Sequence, residues 1–233
     1  MDPNSIKTMA AAAGAGSKEG EYVEDVFNIH LYEGNSSFQT ITTNFDLRTE
    51  GGLIWVKNRT TGSRDNILID TITCDSSSNA NTIYLNKYYS SNSQDALDTT
   101  DGSLGDSLVY AIHKTSFDVG FQDEVNDDGE DHVAWQFRKC PGFFDIVEYT
   151  GSNGAQSIAH SLGCVPGMMI IKRQDSSANW VVWHKSLSDT TSKILNLNET
   201  GSEESGSAYW NDTAPTATHF TVGNHAEVAG GTS

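Results

Sequence analysis

The chain has 233 residues, 36% of them hydrophobic and 19% charged, a balance that excludes a disordered polyelectrolyte. No apolar run is long enough to span a bilayer as a helix, and the first residues lack the basic and apolar regions of a secretory signal. Thirty-one acids against 14 Lys and Arg give a formal net charge of -17, a surface that repels phosphate backbones and argues against a nucleic-acid partner.

Residues 1–24 read as an N-terminal arm. Asn4 or Ser5 can cap a short helix over residues 6–13, and Gly14-Ala15-Gly16-Ser17 would end it. Ordering such a segment costs roughly 1–2 kcal/mol per residue, which its small apolar content does not offset. It is expected to order only against other chains. From Tyr22 onward the texture is β. Residues 26–32, 38–42, 53–57, 66–70, 81–85, 108–112, 116–119 and 132–137 read as short strands separated by turn residues. The polar residues 90–101 carry no core signal. Residues 53–57 are apolar at both parities, as in a central strand covered on both faces. Short strands at turn-punctuated spacing predict an all-β sandwich or jelly roll.

The run Gly51-Gly52-Leu53-Ile54-Trp55-Val56-Lys57 returns as Pro166-Gly167-Met168-Met169-Ile170-Ile171-Lys172. Tyr149, Gly151, Gln156 and Ile158 repeat Tyr32, Gly34, Gln39 and Ile41 at one constant spacing. Residues 144–149 correspond to residues 27–32 and are expected to form a strand. Residues 180–183 take the place of the Ile67 strand, and residues 193–197 that of the Ile83 strand. Residues 219–223 echo residues 116–120. A repeat this long means tandem domains, 25–140 and 141–233, with a boundary near Pro141.

The order of pieces is Tyr32-x-Gly34-Asn35, the Gly51 to Lys57 run, Ser116-Phe117-x-x-Gly120-Phe121, residues 133–139, and Pro141-Gly142-Phe143-Phe144 leading to Tyr149-Thr150-Gly151. This order resembles the repeated domain of tail-fibre and other structural proteins of marine bacteriophages, cyanophages among them. The arm is similar to the start of such proteins. The resemblance implies two tandem β-sandwich domains of jelly-roll or lectin/laminin-G-like character. It implies a virion tail part made in the host cytoplasm, a homotrimer, docked on other tail proteins through the arm and supporting host attachment. It supplies no catalytic residue and no cofactor, so the expectation is a protein that is not an enzyme.

Several constellations are candidates for chemistry. The acidic stretch 123–131, with Asp123, Asn126, Asp127 and Asp128, has the oxygen density of a calcium loop. An EF-hand frame with Gly129 at its sixth position puts Trp135 where the bidentate Glu belongs. The matching stretch Ala226-Glu227-Val228-Ala229-Gly230 has lost most of the acids, so a solvated hairpin turn is the preferred reading. Tyr209 and Trp210 lie in a polar, turn-rich stretch. They are the expected exposed aromatics, and the candidates for stacking a host-surface glycan in a carbohydrate-binding module. Trp180 and Trp183 should face opposite sides of one strand, and Trp55 and Trp135 should be core. A glycan depolymerase would need two carboxylates across a cleft, and no motif singles out a pair. The seven histidines show no metal or triad spacing. Cys74, Cys140 and Cys164, with no C-x-x-C spacing, are expected as buried thiols. The sequons at Asn35, Asn58, Asn198 and Asn211 are read as products of composition.

Copy one continues past Val125 into the strand 132–137, whereas copy two reaches Val228 and Gly230 and then Gly231-Thr232-Ser233. The expectation is a missing strand in copy two, supplied by following residues that resemble Val-Ala-Trp-Gln-Phe or by a neighbouring subunit.

Overall fold

The structure is a computed structural model that describes residues 22–72, 83–84, 87–90, 96–98, 108–174 and 176–230. The expected arm helix and Cys74 lie outside the described residues. Strand β1 (Phe27–Glu33) follows a one-turn helix, α1 (Val23–Val26). Next come β2 (Gln39–Thr42), α2 (Leu47–Glu50), β3 (Gly52–Asn58) and β4 (Asn66–Asp70). They are followed by β5 (Ile83–Tyr84), β6 (Lys87–Ser90), β7 (Ala96–Asp98), β8 (Val109–Ile112) and β9 (Ser116–Val119). Helix α3 (Asp123–Asn126) and β10 (Asp131–Arg138) complete the first half.

The second half holds β11 (Gln156–Ala159), β12 (Met168–Ile171), β13 (Val181–His184), β14 (Lys193–Asn196) and β15 (Glu204–Ser205). It ends with α4 (Ser207–Trp210), β16 (His219–Val222) and α5 (Ala226–Ala229). No helix among the described residues is long and apolar enough to cross a membrane. The fold is all-β, built from antiparallel sheets with a few one-turn helices.

The first half carries sheets β1-β10-β3-β4-β6-β7 and β2-β9-β8-β5. Strand β3 alternates as a pleat requires: Gly52, Ile54, Val56 and Asn58 are buried, and Leu53, Trp55 and Lys57 half-buried. Ile54, Val56, Ile67 and Ile69 meet Val109, Ile112, Phe117 and Val119 in one core. Complete burial of each such side chain contributes about 1.5–3 kcal/mol. The second half has sheets β12-β13-β14-β15 and β11-β16, with its own core around Val181, Trp183, Ile194, Trp210, Phe220 and Val222.

Two strand correspondences need correction. Residues 144–149 form no strand beyond the isolated bridge Cys140–Phe144. Their counterpart β1 is held by β10, and a strand needs a bonded neighbour to persist. Strand β14 stands beside β13 as β6 stands beside β4, whereas the Ile83 strand pairs β8 in the other sheet. Residues 193–197 therefore match β6 and not β5. Cys140 is buried as expected, but Cys164 is exposed.

Candidate functional site

Four side-chain and backbone anchors recur in the two halves. The Tyr32 hydroxyl donates to the Val125 carbonyl at 2.6 Å, and the Tyr149 hydroxyl to the Val228 carbonyl at 2.6 Å. Burial pushes both phenol pKa values far above the usual range, so both stay protonated donors. The Gln39 amide donates to the Glu33 carbonyl at 3.2 Å, as Gln156 does to Thr150 at 3.1 Å. Lys57 reaches the Arg64 carbonyl at 2.8 Å, and Lys172 the Ala178 carbonyl at 2.9 Å. The Ser36 N–H donates to Asn126 and the Asn153 N–H to Ala229, both from residues with positive φ. Each chain corner is thereby fixed to the one-turn helix beside it, α3 or α5.

Gly34 and Gly151 permit this approach. A Cβ on Gly34 would collide with the Asp127 carbonyl oxygen, and one on Gly151 with that of Gly230.

The acidic stretch is a corner and not a hairpin turn. Arg64 bridges Asp123 at 2.7 Å and Asp127 at 2.9 Å, and these contacts, that to Asp127 foremost, raise its already high pKa. Glu130 accepts from the Thr61 hydroxyl at 2.6 Å and from the Asn58 amide, which hold its carboxyl below the usual range. Asn126 is buried, and its amide donates to the Gly120 carbonyl at 2.6 Å. Asp128 faces solvent and leaves its backbone N–H to Ser36. Three of the four candidate cation ligands thus serve the fold, and no described group of three His, Cys, Asp or Glu is placed to hold a metal ion. The sequon residue Asn58 is buried, with its side-chain oxygen accepting from the Thr60 and Thr61 N–H groups.

Tyr209 and Trp210 are not the exposed aromatics expected. Trp210 is 1% exposed, and its indole N–H donates to the Lys193 carbonyl at 2.9 Å. Tyr209 is buried, stacks on His225 with ring centroids 4.0 Å apart, and donates to Glu227 at 3.0 Å. Helix α4 turns both rings inward, and Asn211 in the left-handed region ends it. The polar neighbours that suggested exposure are the turn residues around this helix.

An apolar surface lies elsewhere, on the outer face of the first sheet. Register aligns Ile29, Trp135, Trp55 and Leu68 in one row across four strands. The two indoles meet edge to face at 5.7 Å, half-buried on this face and not in the core. Trp180 and Leu197 from the second half cover Leu53, Trp55 and Leu68, so the two halves touch through a third cluster. Trp180 and Trp183 do face opposite sides, with Trp183 in the second core. Ile29 and Leu31 remain 53% and 59% exposed. The odd-numbered parity of residues 27–31 carried this signal in the sequence. The arrangement suits protein contact, because large apolar side chains on a rigid sheet need little ordering to be buried.

A family model for a domain of unknown function, DUF7483, matches residues 22–233. No curated protein matches the chain. No solved structure matches it. The family match takes in both halves and all of the recurring anchors, and the chain belongs to the DUF7483 family.

Proposed function

We propose that the chain is a structural component of a bacteriophage tail, a fibre part whose N-terminal arm attaches to other tail proteins. Its body is two tandem β-sandwich repeats, 25–140 and 141–233, that support adhesion to the host surface. The observation that carries this reading is the duplicated corner. Tyr32 and Tyr149, Gln39 and Gln156, and Lys57 and Lys172 make the same bonds in two halves with separate cores. Repetition of a locked module, with Trp180 of one copy packed on Leu68 of the other, builds length and stiffness, as a fibre requires. The motif order quoted above resembles phage tail-fibre repeats, and that resemblance supplies the virion assignment. The apolar face around Ile29 and Leu31 suits the homotrimer of this reading.

Purified particles of the encoding phage test it by quantitative mass spectrometry. Peptides of residues 22–230 should be present in a fixed ratio to known tail proteins. Peptides found only in the infected-cell lysate would refute the assignment.

A further inference from the structure

The antiparallel register decides which backbone groups of β3 and β12 face which neighbour. The Thr71 N–H donates to the Gly52 carbonyl at 3.1 Å, so Gly52, Ile54 and Val56 bond β4. The Arg59 N–H donates to Asp131 at 2.7 Å and the Lys139 N–H to Gly51 at 2.9 Å, so Leu53, Trp55 and Lys57 bond β10. In the second half the Lys185 N–H donates to Gly167 at 3.0 Å, which assigns Met169 and Ile171 to β13. The N–H and C=O groups of Met168 and Ile170 therefore point outward from the edge of the sheet β12-β13-β14-β15. Their side chains are 49% and 37% exposed.

Met168 and Ile170 correspond to Leu53 and Trp55, the residues that bond β10. The tie from Tyr149 to Val228 holds Tyr149 beside α5 as the tie from Tyr32 to Val125 holds Tyr32 beside α3. In the first half β10 lies between β1 and β3, about 4.8 Å from each. In the second half β12 stands at the sheet edge, and no described strand pairs with it on its outer side.

We infer that the edge of β12 accepts one added antiparallel strand with the residue pattern of β10. On the core side the strand carries small or polar side chains, as His132, Ala134 and Gln136 do. On the outer side it carries large apolar ones, as Val133, Trp135 and Phe137 do. Strand β10 is itself the ground for naming this occupant, since it pairs in the first half with β3, the counterpart of β12. The inference rests on the repeat relation of the proposed function and not on the virion assignment.

The test titrates a labelled peptide of residues 131–138 into the full chain, followed by fluorescence anisotropy and amide hydrogen exchange. Saturable binding is expected, with exchange at Met168 and Ile170 slowed at least about tenfold and a scrambled peptide bound at least roughly tenfold more weakly. Ile170→Pro should abolish both effects. It removes a donor on the open edge only, a position where proline is tolerated, and leaves the β13 ladder intact. No binding, equal binding of the scrambled peptide, or indifference to Ile170→Pro overturns the inference. So does a structure in which β12 pairs with β12 of a second copy. If the peptide fails while the Asn153 amide stays protected by Ala229, the inference falls and the repeat reading stands. Loss of that protection in the free chain would bring down both.

Discussion

Replacing Tyr32 by Phe removes one hydroxyl and keeps the ring that packs on the first core. The Val125 carbonyl, which accepts that hydroxyl at 2.6 Å, is left in a buried corner with its donor gone. An unsatisfied acceptor of this kind costs about 1–3 kcal/mol, and the absence of a cavity keeps the value near 1.5 kcal/mol. Tyr149→Phe makes the same loss at Val228 in a separate core. The double variant should therefore lose about 3 kcal/mol, the sum for independent sites. With a urea dependence of roughly 2 kcal/mol per molar, each single change lowers the unfolding midpoint by about 0.7 M. Urea titration followed by circular dichroism, with amide exchange to assign the loss to one half, measures it. Single effects below about 0.3 kcal/mol, or a strongly unequal pair, would refute the reading of both tyrosines as equivalent anchors.

Three further outcomes are expected. Gly34→Ala and Gly151→Ala each force a Cβ into a backbone carbonyl, so each should cost more than its Tyr→Phe neighbour in thermal unfolding. Trp210→Ala should cost about 3–5 kcal/mol, as for an emptied core site, in chemical denaturation; a loss under about 1 kcal/mol would contradict its burial. Burial holds His132 below its ordinary pKa of 6.5, so the unfolded state takes up the proton first. The stability this residue contributes is complete above about pH 6.5 and is lost as pH falls through the folded value; stability should drop between pH 7.5 and 5.5, and less so in His132→Asn.

The corners were legible because their residues answer to geometry. Tyr32, Gly34 and Lys57 recur as Tyr149, Gly151 and Lys172 since a reach to a carbonyl and a close backbone approach leave few alternatives. Most strand positions of the first half were legible, β3 through its apolar residues at both parities, but β6 and β7 were not, because they lie in or beside a polar stretch with no core signal. What failed depends on distant partners. Residues 144–149 have the composition of β1, but composition does not supply the neighbouring strand that β10 gives β1. The burial of Tyr209 and Trp210 is set by a one-turn helix too short for periodicity to reveal, in a stretch whose average polarity points the other way. Trp55 and Trp135 lie in apolar strands, which points to the core, yet they stand edge to face on the outer side of the sheet, where Trp55 meets the second half. In the acidic stretch the sequence shows the carboxylates but not Arg64, which folds in from another loop to hold two of them.

Cryo-electron microscopy of the intact particle tests the central claim most directly. The account predicts density in the tail that fits both halves, with the Lys57 and Lys172 strands superposing when one repeat is rotated onto the other. Density for this chain in the capsid shell, or halves whose Tyr32 and Tyr149 corners do not superpose, would contradict it.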